Sequence, residues 1–469
     1  MIFRGWGRMS NKSKTVKTDK ATAQGRVPKL RFPGFRDARA WDEKPLGKVY
    51  SFKVTNSFSR DKLNYEKGLV KNIHYGDIHT RFSTLFDIRK EMVPFINSSE
   101  AISKIKSDSY CIEGDMVFAD ASEDLNDVGK SIEIVNLNNE RLLSGLHTLL
   151  ARQNNSELVI GFGGYLFKSN GIRTGIKKEA QGAKVLGVSA ERLSNINIYF
   201  PTDKKEQQKI ADCLASTDEL ITAQSQKIDT LKAHKKGLMQ QLFPAQGETV
   251  PKLRFPEFRD AGAWEERTIQ DLIDKRIIIG HLDGNHGALY PRAEEFSQVG
   301  VPYISANDFI NGTVDFGKCK HIPMQRAAKF NKGVAKDGDI LFAHNATVGP
   351  VAKLSTSLQF VILSTTATYF RCDNELLINI FLKYALSSPH FVHQYSRVMY
   401  QSTRNQVPIT TQREFYLTLP TSTEQQKIAG CLSSIDELIT AQAQKLDTLK
   451  THKKGLMQQL FPSTDEANE

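Results

Sequence analysis

The chain has 469 residues, of which 40% are hydrophobic and 25% charged; it is too long for one ordinary core, so two to four globular domains are expected. Sixty-three Lys and Arg against 52 Asp and Glu leave a formal charge of +11, an excess that favours a polyanion such as nucleic acid but that an ordinary basic protein would also carry. Five scattered cysteines without a C-x-x-C pair, and no run of 18 apolar residues, exclude a disulfide framework, a zinc site and a membrane span.

Residues 1–26 set seven Lys and Arg against the single Asp19. No apolar core follows the basic residues, so the segment reads as a disordered tail and not as a secretory signal. A reducing cytoplasm is the expected location. Met9 is a second candidate start beside Met1.

Residues 27–41 begin VPKLRFP and end on Trp41; residues 245–264 contain the same VPKLRFP from Val250 and end on Trp264. Proline at both ends of the run predicts an extended segment. Phe32, Phe35 and Trp41, with their mates Phe255, Phe258 and Trp264, read as anchors buried against a neighbouring domain.

Residues 42–203 and 265–421 share only a faint skeleton. IHYGD from Ile73 faces ISAND from Ile304, GDMVF from Gly114 faces GDILF from Gly338, and QGAKVLGVS from Gln181 faces QSTRNQVPI from Gln401. The runs IEIV, LVIGF, INIYF and FVILS predict strands, and the stretch from Tyr384 to Tyr395 predicts a helix. Each insert is expected to be an independent mixed α/β domain.

The second repeat is the more specific one. EQQKIADCLASTDELITAQSQKIDTLKAHKKGLMQQLF from Glu206 returns almost unchanged from Glu424. It predicts one long helix over 204–244 and another over 422–462. Asp203 with Glu206, and Thr421 with Glu424, have capping-box spacing, and Pro244 and Pro462 stop the helices. In the first copy Ile210, Leu214, Thr217, Ile221, Gln224, Ile228, Leu231, Lys235, Leu238 and Leu242 alternate by four and three. In the second, Ile428, Leu432, Ile435, Ile439, Gln442, Leu446, Leu449, Lys453, Leu456 and Leu460 do the same. That seam lasts about five heptads. A helix of this length spans roughly 57 Å, and so narrow a stripe needs a partner, which the other copy supplies within the same chain. The heptads leave the orientation open; an antiparallel intramolecular coiled coil is the expectation. Gly237 and Gly455 weaken the pattern and suggest a bend. Residues 463–469 read as a second disordered tail.

Catalytic signatures are missing. The nearest approach to a phosphate-binding loop, Gly129-Lys130-Ser131, has Asp124 where the first glycine belongs, so it offers no cradle. H-E-x-x-H, G-x-S-x-G, N-P-P-Y and D-P-P-Y do not occur, and the eleven His show no ligand spacing. Polar and basic loop residues remain. Ser402, Thr403, Arg404, Asn405 and Gln406 are the sharpest group, because Arg matches guanine and Asn or Gln matches adenine in a major groove. Gln181 and Lys184 stand at the corresponding place in the first insert. Arg173, Lys177 and Lys178 could grip phosphates. Asn345, Thr347 and Asp120 follow strands, and His74, His79 and Arg81 sit near a turn. For each of these the plain alternative is a solvated loop residue.

The layout as a whole resembles the specificity subunit of a type I restriction-modification system. The resemblance rests on PKLRFP-x-F leading to the two tryptophans, on INIYFPTDKKEQQKIA and FYLTLPTSTEQQKIA closing the inserts, and on the doubled helices. It implies two target-recognition domains, each reading half of a bipartite double-stranded DNA site, separated by two helices that dock methylation subunits, two of them. It also implies restriction and translocation subunits in the full complex. S-adenosylmethionine, ATP and Mg would belong to those partners, with no cofactor and no membrane for this chain. Unlike inserts imply unlike half-sites. A non-catalytic coiled-coil scaffold bridging two protein-binding domains is the competing reading.

Overall fold

The computed structural model describes residues 26–100, 102–285, 290–401 and 405–462; of the tails expected at 1–26 and 463–469, all but Arg26 lie outside them, and Arg26 is ordered against expectation, its carbonyl accepting from Trp41 N–H at 2.9 Å. The chain is mixed α/β, with two sheet-rich units and two long helices, Lys204–Leu242 and Ser422–Leu460. By contact the division runs through the long helices and not at their ends. One unit comprises the residues up to Thr222 together with those from Asp447 onward; the other is Ala223–Leu446.

The first unit contains, among the described residues, a five-stranded sheet in the order Tyr50–Lys53, Thr148–Gln153, Met116–Ala119, Ser131–Asn136, Leu85–Asp87. A four-stranded sheet runs Leu142–Ser144, Lys71–Ile73, Phe95–Ile96, Leu63–Asn64. The strands Asp42–Pro45 and Asn197–Phe200 pair antiparallel and close the insert. Its main core gathers Trp41, Phe118, Phe162, Phe167 and Phe200 with Ile210 and Leu214 of the first long helix and Leu460 and Phe461 of the second. The second unit repeats this plan. Its six-stranded sheet runs Ile278–Asp283, Ala367–Cys372, Ile340–Asn345, Thr347–Lys353, Thr313–Val314, Phe309–Ile310. Its four-stranded sheet runs Lys320–Ile322, Val301–Ile304, Val361–Leu363, Val334–Ala335. Glu265–Thr268 and Tyr416–Leu419 close it.

The weak sequence anchors mark equivalent places. Gly114 and Gly338 have φ of +90° and +84°, a left-handed turn that glycine adopts without strain. The aspartates that follow them are buried and receive arginines from the neighbouring strand: Arg152 Nη2 lies 2.7 Å from Asp115 and Arg371 Nη2 lies 2.7 Å from Asp339.

The repeated extended segments dock the same way in both units, each making one 3₁₀ turn, Pro33–Phe35 and Pro256–Phe258. In the first, Leu30 N–H donates to Gln459 O at 2.9 Å, and Trp41 stands edge-on to Phe162 and Phe461 at 6.2 and 5.9 Å. In the second, Leu253 N–H donates to Gln241 O at 2.9 Å, and Trp264 meets Phe381 and Phe243 at 6.1 and 6.0 Å. The expected capping boxes need correcting. Asp203 accepts from Lys205 N–H at 2.8 Å and caps its helix, but Glu206 does not reach back. Its buried carboxylate instead takes both Nε and Nη2 of Arg31. Glu424 is engaged by Arg254 in the same way, at 2.9 and 2.6 Å.

Within each unit the long-helix segments lie antiparallel. In the second unit Gln224 Nε2 donates to Gln442 O and Oε1, both at 2.9 Å, and Lys235 meets Asp436 at 2.6 Å. In the first, Lys453 meets Asp218 at 2.5 Å. All twenty seam positions of the two copies are buried or half-buried. Both helices continue through Gly237 and Gly455 without a break in their hydrogen-bonded span.

One local expectation fails and another is refined. LVIGF is not a strand: Val159 N–H donates to Gln207 Oε1 of the first long helix at 2.8 Å. Gly161 and Gly164 N–H donate to buried Glu133 at 2.9 and 2.6 Å, which starts the short helix Phe162–Leu166. The helix expected from Tyr384 to Tyr395 is two helices, Asn379–Ala385 and Pro389–Gln401, because Pro389 fits only a first turn.

Candidate nucleic-acid interface

In the second unit the strands Ile340–Asn345 and Thr347–Lys353 form a tight hairpin around Ala346, whose φ is +64°. Residues 405–407 pack back onto it. Ala346 N–H donates to Asn405 O at 2.9 Å, Val407 N–H donates to His344 O at 2.8 Å, and Asn345 bridges Gln406. Asn345, Thr347, Asn405 and Gln406, some sixty residues apart in sequence, therefore share one loop cluster. Thr347 and Asn405 are exposed; Asn345 and Gln406 are half-buried. Ser402, Thr403 and Arg404 lie outside the described residues.

A buried polar network holds that cluster to the sheet. Gln412 Nε2 donates to Val407 O at 3.0 Å and Thr368 Oγ1 at 3.2 Å, and its Oε1 lies 3.2 Å from His281 Nε2. Burial pushes His281 down to about 4, so the ring is neutral at ordinary pH.

The first unit builds the corresponding place with different residues. The strand Met116–Ala119 runs on into Ala121–Ser122, which pairs with Leu186–Gly187. Val188 N–H donates to Asp120 O at 2.9 Å, the mate of the Val407–His344 bond. Gln181 and Gly187 exchange backbone bonds at 2.9 and 2.7 Å, which leaves a loop with Gln181 and Lys184 exposed. The helix Tyr75–Thr80 lies alongside, with the His79 ring 3.1 Å from Ala121 O. His74 caps that helix, its Nδ1 accepting from Gly76 N–H at 3.2 Å, and Arg81 follows its end. Burial lowers the His74 pKa. Thus the Ala121–Ser122 strand links His79, on one side, to the Gln181 loop that pairs with Gly187 on the other, while His74 and Arg81 sit at the two ends of the helix Tyr75–Thr80.

Arg173, Lys177 and Lys178 lie on the helix Asn170–Glu179. Arg173 Nη2 donates to Asn126 O and Val128 O at 2.9 and 2.8 Å, and Lys177 Nζ donates to Asn126 Oδ1 at 2.8 Å. The Arg173 guanidinium thus holds the 126–128 loop; Lys178 is the exposed cation of the three.

Several residues at this face carry no loop-motif signal. His147, with φ +55°, places Nδ1 3.3 Å from Asp120 Oδ1 and packs edge-on to Tyr75 at 5.4 Å. Tyr75 also lies 4.7 Å from His74 and 5.9 Å from His79. The run HYGDIH, with its two histidines and tyrosine, is the local hint that the sequence offered. Arg60 and Tyr65 had none.

These polar loop faces can donate and accept toward base edges. Among the described residues no group of His, Cys, Asp and Glu could hold a metal, and no helix is long and apolar enough to cross a membrane.

The family described as type I restriction modification DNA specificity domain matches residues 90–233 and 262–451. The type I restriction enzyme MjaVIII specificity subunit of Methanocaldococcus jannaschii is 25% identical over 302 residues, 63% of this chain and 69% of that protein. A protein of the same organism named for the MjaX specificity subunit is 25% identical over 417 residues, 87% of this chain and 89% of that one. Among solved structures, a type I restriction-modification S subunit from M. genitalium has a TM-score of 0.55 at 15% identity, covering 93% of this chain and 100% of that one. A chain from the assembly of a type I R-M system gives 0.54 at 15% identity, over 90% and 98%.

Proposed function

We propose, from the premise that the chain belongs to the type I restriction modification DNA specificity family, that it is the non-catalytic subunit that reads DNA for such a system. Each unit takes one half of an asymmetric bipartite site in double-stranded DNA. The observation that carries this is the loop cluster beside the strands Met116–Ala119 and Ile340–Asn345. The backbone pairing recurs in both units, through Val188 to Asp120 and Val407 to His344, while the side chains around it differ. A shared mount with unlike tips suits two readers of unlike sequences. Asn405 and Gln406 offer the amide donor and acceptor that match adenine in the major groove.

The paired helices set the gap between the half-sites and dock methylation subunits, two of them. Restriction and translocation subunits join the full complex. S-adenosylmethionine, ATP and Mg act in those partners, and the complex works in the cytoplasm.

Methylated-adenine sequencing of a host genome carrying the chain with its methylation partner tests the proposal. A motif of two defined parts separated by a fixed gap is expected. Inserting one heptad into each helix at matching points keeps the seam and lengthens each by about 10 Å. The gap should then change by about three base pairs, at roughly 3.4 Å per pair along each strand, with both parts kept. An undivided motif, or a gap that ignores the insertion, contradicts the proposal.

A further inference from the structure

Arg60 lies in the 3₁₀ turn Arg60–Lys62, and Arg81 closes the helix Tyr75–Thr80. Both approach the Asp77 carboxylate, whose side chain is 3% exposed. Arg60 grips it with two nitrogens, at 2.9 and 3.1 Å; Arg81 Nη1 stands 3.7 Å away. Both also donate to the Tyr65 hydroxyl, from Nη1 of Arg60 at 3.1 Å and Nη1 of Arg81 at 3.0 Å. Two guanidinium charges face one carboxylate, so the cluster keeps a surplus positive charge at the surface.

The two arginines are not equivalent. A buried carboxylate left unpaired is strongly disfavoured, so the Asp77–Arg60 pair is fixed, and both terminal nitrogens of Arg60 are committed to it. Arg81 is 52% exposed. Nη1 carries its hydrogen bond, and Nη2 and Nε make no hydrogen bond among the described residues. The Tyr65 ring lies 6.0 Å from its guanidinium carbon. A guanidinium pinned at one corner, with a free two-nitrogen edge, is a preorganised bidentate donor. In a DNA groove that edge matches O6 and N7 of guanine. A phosphate would be served as well by an unpinned, mobile cation.

We propose that Arg81 reads a guanine in the half-site taken by the first unit, and that Tyr65 and the Asp77–Arg60 pair are positioning residues that fix its edge. The assignment rests on the DNA-reading function proposed above. It is particular to the first unit. At the corresponding anchor of the second unit, Asp308 is bonded to its own cap, Ser305 N and Oγ, at 2.7 and 2.8 Å.

The test uses the full chain with its methylation partner. Methylated-adenine sequencing defines the motif, and competition binding then substitutes each base pair in turn. Arg81→Ala should relax one G·C position in one half-site, with discrimination there falling roughly tenfold to a hundredfold. Tyr65→Phe should relax the same position less, without altering affinity for random duplex DNA; a merely structural role would not single out one base pair. The other half-site serves as the folding control. Equal weakening on all sequences would make Arg81 a phosphate contact and overturn the assignment. A motif left intact by Arg81→Ala would overturn it alone, whereas a wild-type chain that directs no methylated motif would overturn the DNA-reading function as well.

Discussion

The two units have the same fixings and different faces. Arg31–Glu206 and Arg254–Glu424 are buried pairs at the same place, and each arginine also donates from Nη1 to two backbone carbonyls, of Ala38 and Arg39 or of Ala261 and Gly262. Tyr165 donates to Asp218 at 2.9 Å, and Tyr384 donates to Asp436 at 2.8 Å; each aspartate also takes a lysine from the other helix. The described loop faces differ: histidines, arginines and tyrosines beside Gln181 and Lys184 in one, Asn345, Thr347, Asn405 and Gln406 in the other. The buried attachments need one geometry and tolerate one answer. The faces meet solvent or a ligand, so their residues are free to differ while the backbone pairing beneath them stays.

If the attachments are equivalent, breaking either should cost its own unit about the same. Arg31→Met and Arg254→Met each strand a buried glutamate, at a cost of about 3–5 kcal/mol. Hydrogen exchange should show the loss in the strands of the affected unit, and a large inequality between the two would break the equivalence. The units should separate in their response to pH, each by about 1–3 kcal/mol. In the second, His281 is depressed from 6.5 to about 4 by burial. Its contribution is intact above about 6.5 and is lost as pH falls toward 4, because the unfolded chain takes up a proton that the folded ring refuses. In the first, burial raises Glu133 from 4.5 to about 7. Its contribution is present below about 4.5 and is lost as pH rises through 7. Exchange in Ile278–Asp283 and Ser131–Asn136 should therefore move in opposite directions between pH 4 and 8, after correction for intrinsic rates. His281→Asn should flatten the first of these and Glu133→Gln the second. The smallest effect concerns the seam. Replacing Gln224 and Gln442 together by leucine should stabilise the second unit by about 1 kcal/mol and leave protection of the first unchanged.

The fold class was legible because the repeat and the heptad seam are written in residue order. What misled were positions where a distant partner outbids the local pattern. Glu206 and Glu424 have capping spacing, but a buried arginine takes each carboxylate. LVIGF has the apolar run of a strand, but Gln207 and Glu133 claim its amides. At the candidate faces, the loop residues were visible as polar types, while their assembly depended on pairing across the sheet, as between Asn345 and Gln406. Arg60 and Tyr65 gave no signal at all, since their meeting with Asp77 and Arg81 follows no helical or strand period.

The most direct measurement exchanges residues 42–203 for the matching insert of another family member and sequences the methylated adenines of the host. One half of the motif should be replaced, while the other half and the gap persist. A change in both halves, or a motif that cannot be divided, would contradict two independent readers on a common mount.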